Sequence, residues 1–179
     1  MSTTASRSDS ALRAYRIGSR RYELFDGGGA AASDLSRWNS RGRRVIYAAE
    51  HYATAVLETL ARLNSVKLPA SLVYIEIEIP SGVSVERVDL RRVKEWDAED
   101  RRASQAFGDR WHEEQRTAVL IVPSLAAPGL EWNVAINQEH PETARVKVSA
   151  LKPVVGHPRL LAYPSPPRRQ RLRPTPTGS

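Results

Sequence analysis

At 179 residues the chain has the size of one domain, and 41% hydrophobic residues with four tryptophans exclude a wholly disordered chain. The lack of cysteine excludes disulfides, cysteine-held metal and a cysteine nucleophile. The net charge of +7 invites a nucleic-acid reading, but five arginines and no acid lie from Pro158 onward, and the remainder carries +2.

In chain order, Met1 to Ser10 is small and polar and reads as a flexible arm without the apolar core of a signal peptide. Tyr15–Ile17 reads as a first short strand. Gly27, Gly28 and Gly29 then interrupt the chain and are followed by Ala30–Ala32. Val45–Ala49 is a short apolar run, as in a buried strand. From His51 to Asn64, Ala53, Val56, Leu57 and Leu60 recur at helical spacing. Val73, Ile75, Ile77 and Ile79 alternate with Tyr74, Glu76 and Glu78, which predicts a half-buried strand stopped by Pro80. Val83–Leu90 is another strand candidate. Asp97 to Gln115 is charged and helix-compatible, with Gly108 weakening its middle. Ala118–Val122, Trp132–Ile136 and Val146–Val148 complete the strands. Tyr163–Ser179, with five prolines and four arginines, reads as a disordered tail. The sum is α+β: a single compact domain over 11–162, with short β-strands and a few helices. No apolar run approaches a membrane span, so the reading is cytoplasmic.

Several polar residues stand where a plain core does not need them. Ser36-Arg37-Trp38-Asn39 follows the glycine stretch, Glu58 sits in the first predicted helix, Ser124 follows a strand directly, and Asn137 ends another. Each also has an ordinary reading. Glu58 precedes Arg62 by one helical turn and fits a surface ion pair. Arg37 can stack on Trp38. Ser124 can be a turn residue, and Tyr47 a core residue with its hydroxyl bonded to backbone. The glycine run is neither a dinucleotide fingerprint nor a phosphate loop, and the four histidines lack metal-ligand spacing, so no metal is expected.

The joint pattern is more specific than any part. Tyr15-Arg16-Ile17, Gly27-Gly28-Gly29, Ser36-Arg37-Trp38-Asn39, Val45-Ile46-Tyr47-Ala48-Ala49 and Ala55-Val56-Leu57-Glu58 follow one another in order. Gly108-Asp109-Arg110-Trp111, Val122-Pro123-Ser124, Trp132-Asn133-Val134-Ala135-Ile136-Asn137 and His140-Pro141 come after. This succession resembles the RES-domain proteins from about Tyr15 to Leu161. It departs from them before the Arg-Trp-Asn block, where the usual glycines are replaced by Asp34-Leu35-Ser36 and the loop is longer.

The resemblance implies an ADP-ribosyltransferase-like fold and a toxin of a toxin–antitoxin pair. It implies an enzyme that arrests growth by depleting NAD, through hydrolysis or phosphorolysis of the nicotinamide–ribose bond. NAD is then the substrate, with inorganic phosphate as a candidate co-substrate. The expected partner is an Xre-like antitoxin that blocks the site, with a higher-order toxin–antitoxin oligomer and no direct nucleic-acid contact. Glu58, Arg37, Tyr47 and Ser124 are the catalytic candidates; Arg16, Arg37, Tyr47, Ser124 and Asn137 are the NAD-binding ones. A carboxylate suits Glu58, because positive charge grows on the ribose as the glycosidic bond breaks. Arg16 or Arg37 suits the diphosphate through forked, charge-assisted bonds. Tyr47 offers a ring face or a hydroxyl, and Ser124 a hydrogen bond rather than a nucleophile, because no Ser-His-Asp spacing activates it. The loop from Asp26 to Asn39 can admit or cover the dinucleotide. Two alternatives stand beside this reading: ADP-ribosylation of a protein, which shares the first step, and a basic nucleic-acid-binding module.

Overall fold

The computed structural model describes residues 6–162; the first five residues and the expected tail at 163–179 lie outside the described residues. The strands are β1 (Ser6–Arg7), β2 (Leu12–Ser19), β3 (Val45–Ala49), β4 (Leu68–Pro69), β5 (Leu72–Ile79) and β6 (Ser84–Arg87), then β7 (Val119–Pro123), β8 (Trp132–Asn137), β9 (Lys147–Val148), β10 (Lys152–Pro153) and β11 (Leu161–Ala162). The helices are α1 (Gly28–Ala31), α2 (Tyr52–Leu63) and α3 (Arg102–Glu113), so the fold is α+β. Among the described residues no helix is long and apolar enough to cross a membrane.

Nine strands form one mixed sheet in the order β1-β6-β7-β8-β3-β2-β5-β10, with β9 also on β5; β4 and β11 pair separately. The sheet has two halves. β3 pairs with β8 along its whole length, and β2 with β5 along its whole length. Between the halves, β2 and β3 meet only at Tyr15 and Ala49. Beyond that pair the strands part. The alternation seen in the sequence explains the rest. Ala14, Ile75 and Ile77 from one half share a core with Ile46, Val119, Ile121, Val134 and Ile136 from the other. The inner faces of both halves therefore close on each other.

The outer face carries the helices. α3 sets Phe107 and Trp111 against Trp38, Val45, Leu120, Val122 and Ala135. α2 sets Ala55, Val56 and Leu60 against Ile17, Ala49, Leu68 and Leu161. Several expectations change in detail. α3 begins at Arg102, five residues later than expected from Asp97, because Arg101 is left-handed (φ 58°) and interrupts the helical path. Ser6 and Arg7, assigned to the flexible arm, pair with β6 at the sheet edge. The Gly-Ala stretch closes one short helical turn as α1.

One charge is deeply placed. The Glu86 side chain is 1% exposed, and its two oxygens accept bonds from Arg116 Nε and Nη2, each at 3.0 Å. Burial pushes the Glu86 carboxyl above its ordinary value of 4.5, and Arg116 opposes that rise. The folded protein thus holds this proton more tightly than the unfolded chain. Its contribution to stability is fully present below 4.5 and is lost as pH climbs through the raised value. Arg116→Met keeps the length of the aliphatic stem but removes the counter-charge and the guanidinium that lies over the Phe107 ring. It is expected to lose about 2 kcal/mol at pH 7, less than for a fully enclosed pair because Arg116 is partly exposed. The gap to the native protein should narrow as pH falls toward 4.5, which urea unfolding at two pH values measures.

Candidate active site

α2 is held at its start by a carboxylate from another element. Glu131, in the turn before β8, accepts a bond from Thr54 Oγ1 at 2.7 Å and lies 2.8 Å from His51 Nδ1. The Thr54 hydrogen bond, then that of His51, holds the Glu131 carboxyl below the ordinary carboxylate range. At the far end, Asn64 takes the left-handed conformation (φ 47°) that closes a helix. The axis fixed in this way carries Glu58 over the end of the β7–β8 pair.

There the surface ion pair with Arg62 does not form. Glu58 Oε1 accepts two bonds instead, from Ser124 Oγ and Asn133 Nδ2, each at 2.6 Å. The second oxygen, Oε2, has no hydrogen-bond partner among the described residues. Ser124 is fully buried just beyond β7, and its N–H donates to the Glu131 carbonyl at 2.9 Å. Its Oγ also accepts from the N–H groups of Ala126 and Ala127, at 3.1 and 3.3 Å. With both lone-pair directions taken and the proton given to Glu58, this hydroxyl orients a carboxylate and has nothing with which to attack.

Sheet register places the next residue. Asn133 pairs with Ala49 and Val122, and Tyr47 pairs with Ala135. Tyr47 is therefore diagonal to Asn133 on the same outer face, where such neighbours lie about 7–8 Å apart. Its hydroxyl donates to Asn39 Oδ1 at 2.7 Å, and burial raises its pKa so far that it stays a neutral donor. Asn39 is fully buried, and its amide donates to the Ser40 carbonyl at 3.0 Å and the Ala30 carbonyl at 3.3 Å. The loop from Asp26 to Asn39 is thereby tied to the strand that borders the site.

The remaining candidates lie apart from this cluster. Arg37 Nη1 donates to the Trp96 and Ala98 carbonyls, both at 2.8 Å, so this guanidinium anchors the 96–98 turn; its Nε is sealed without a partner. Asn137, at the other end of β8 from Asn133, donates to the His112 carbonyl and accepts from the Glu139 N–H at 3.0 Å. It ties β8 to α3 and to the turn that follows, and does not meet Glu58. Arg16 stands on β2 just past the residue where β2 and β3 meet, with no hydrogen bond or ion pair to any described residue.

A protein-family model described as the RES domain matches residues 13–162. The chain belongs to the RES-domain family. It is 40% identical over 147 residues to the Prs ADP-ribosylating toxin of Sphingobium sp. (strain YBL2), covering 79% of this chain and 91% of that one. It is 27% identical over 146 residues to Toxin Res of Yersinia enterocolitica (serotype O:8), covering 78% and 92%. The fold is similar to that of a chain in the crystal structure of the Mycobacterium tuberculosis MbcT–MbcA toxin–antitoxin complex, at a TM-score of 0.66 and 14% identity over 84% of this chain and 87% of that one. By family, this chain is a RES-type toxin.

Within the RES domain, three residues of the site escaped the sequence reading. Asn133, Asn39 and Glu131 each lie inside or next to a quoted motif but were given no role there. A signal existed for Asn133: strand alternation puts it on the face of Ala135, where an amide needs a partner. None existed for Glu131, whose partners are supplied by α2, 77 and 80 positions away in the chain.

Proposed function

We propose that this RES toxin breaks the bond between nicotinamide and ribose in NAD and thereby drains the cytoplasmic pool. The observation that supports this reading is the one-sided grip on Glu58. Two donors fix Oε1, and Oε2 is left to accept a bond from a ribose hydroxyl. As the C1′–N bond breaks, its electron pair leaves with nicotinamide and the ribose becomes cationic. A carboxylate already oriented beside it lowers that barrier without reorganising. Neutral Tyr47, on the same face, adds a ring and a hydroxyl to the wall of the site. The acceptor oxygen, from water in hydrolysis or from inorganic phosphate in phosphorolysis, then bonds to C1′ and gives up its proton.

A second reading has its own support. The relative that shares 40% identity is named as an ADP-ribosylating toxin, so a protein side chain is the rival acceptor. One experiment separates them. Purified protein is given NAD alone, NAD with phosphate, and NAD with cell extract, and the products are resolved by chromatography. Rapid nicotinamide release from NAD alone or with phosphate is the expected result, and phosphate-dependent formation of ADP-ribose 1″-phosphate would mark a phosphorylase. Release that requires extract, with label carried onto a protein, would replace the first reading by the second.

A toxin of this kind needs a silencer in its own cell. The structural neighbour was solved with its antitoxin, which supports an antitoxin partner here. We infer an Xre-like protein that covers the Glu58 cluster and competes with NAD.

A further inference from the structure

Two threonines are buried on α2, and their hydroxyls are used differently. Thr59 Oγ1 donates to the Ala55 carbonyl at 2.7 Å, the local bond one turn back that a helical threonine ordinarily makes. Thr54, 1% exposed in the first turn, donates instead to Glu131 Oε2 at 2.7 Å, across 77 positions of sequence. Thr54 precedes Glu58 by four residues, so the two side chains lie on one side of α2, about 6 Å apart along its axis. Both reach the same β7–β8 hairpin: Thr54 meets Glu131, and Glu58 meets Ser124 and Asn133.

Glu131 is where those contacts are joined. Its carbonyl accepts from the Ser124 N–H at 2.9 Å and its N–H donates to the Ala127 carbonyl at 3.1 Å, which closes the turn that carries Ser124. Two residues further along the chain stands Asn133, the other donor to Glu58. The Glu131 carboxylate, with Oε2 shared by Thr54 and His51, thus ties the helix that carries Glu58 to the hairpin that carries its donors. The apolar contacts of α2, through Ala55, Val56 and Leu60, attract without direction and leave the helix free to turn about its axis. A hydrogen bond one turn before Glu58 is directional and fixes that rotation.

We propose that Thr54 and Glu131 are positioning residues for Glu58: their hydrogen bond sets the rotation of α2 at which one carboxylate oxygen meets both Ser124 and Asn133. The proposal rests on the NAD reading for its effect on turnover, and on the Thr54–Glu131 bond for the geometry.

The test compares Thr54→Val, which keeps the side-chain shape and removes the hydroxyl, with Thr54→Ser, which keeps the hydroxyl. Thr59→Val, which removes the local bond from the same helix, is the control. NAD turnover is measured well below the unfolding transition, and the Asn133 side-chain amide is followed by NMR of nitrogen-labelled protein. Thr54→Val should lower kcat about tenfold with KM changed much less, and should shift the Asn133 amide resonances. Thr54→Ser should restore most of the turnover and the native resonances, and Thr59→Val should match the native protein in both. Glu131→Ala should reproduce the kcat loss from the partly exposed side of the bond. The double variant Thr54→Val/Glu131→Ala should lose no more than the larger single loss, because each change removes the same bond. Native kcat and native Asn133 resonances in Thr54→Val would overturn the proposal, as would an equal loss in Thr59→Val or additive losses in the double variant. If the native protein leaves NAD intact, the NAD reading falls; an Asn133 shift in Thr54→Val that is absent from Thr59→Val then still upholds the positioning.

Discussion

Glu58→Gln is expected to lower nicotinamide release from NAD by about a thousandfold while leaving the unfolding transition in place. Glutamine keeps the length and shape of the side chain. Its carbonyl oxygen can still accept the bonds from Ser124 Oγ and Asn133 Nδ2 that Oε1 accepts in the native protein. The packing of α2 on the sheet, through Ala55, Val56 and Leu60, is untouched. What disappears is the carboxylate's negative charge, and on the proposed NAD reading electrostatic stabilisation of a growing cation is the largest single contribution such a group makes. Turnover and thermal unfolding of one purified sample decide the matter: native turnover would remove Glu58 from the chemistry. Ser124→Ala is a useful companion. It keeps the carboxylate but frees one of its two restraints, so the loss should be smaller, about tenfold, and confined to kcat.

Gly108→Ala is expected to destabilise the fold by about 3–5 kcal/mol, against the direction that helix propensity predicts. In an open helix, alanine gains about 1 kcal/mol over glycine. Here a Cβ on Gly108 would stand 1.8 Å from the Trp38 carbonyl oxygen and 2.7 Å from its carbon. The obstacle is backbone, and it cannot rotate away. Trp38 is 2% exposed, stacked at 6.3 Å on Trp96 and edge-on at 6.2 Å to Phe107. Either α3 lifts from the sheet or the Trp38 segment shifts. The second route moves Asn39, the partner of Tyr47, so activity should fall with stability. Gly29→Ala, in α1, is the control: its Cβ would meet nothing within 4 Å, and the change should be near neutral. Urea unfolding of both variants measures the difference. A stable Gly108→Ala protein would mean that α3 does not lie against Trp38 as described.

The sequence by itself determined the elements whose physics is local. The period-2 run of Val73, Ile75, Ile77 and Ile79 is β5, and Val45–Ala49 is β3 at its predicted limits. The helical spacing after His51 is α2. The ordered motifs were enough to identify the family, because their succession survives even where single residues are ambiguous. Local physics was silent on what closes over distance. The Gly108 that weakens α3 in isolation is the residue that lets α3 touch the Trp38 backbone, and only packing reveals that exchange. Whether Glu58 faces Arg62 or the sheet was open in one dimension, since an i, i+4 pair is always within reach on a helix. Tertiary structure decided it by bringing Ser124 and Asn133, 66 and 75 positions away, within 2.6 Å of the carboxylate. A buried hydroxyl and a half-buried amide beside a partly enclosed carboxylate bind it more strongly than a solvated arginine can, because water competes more for the surface pair than for the sheltered ones.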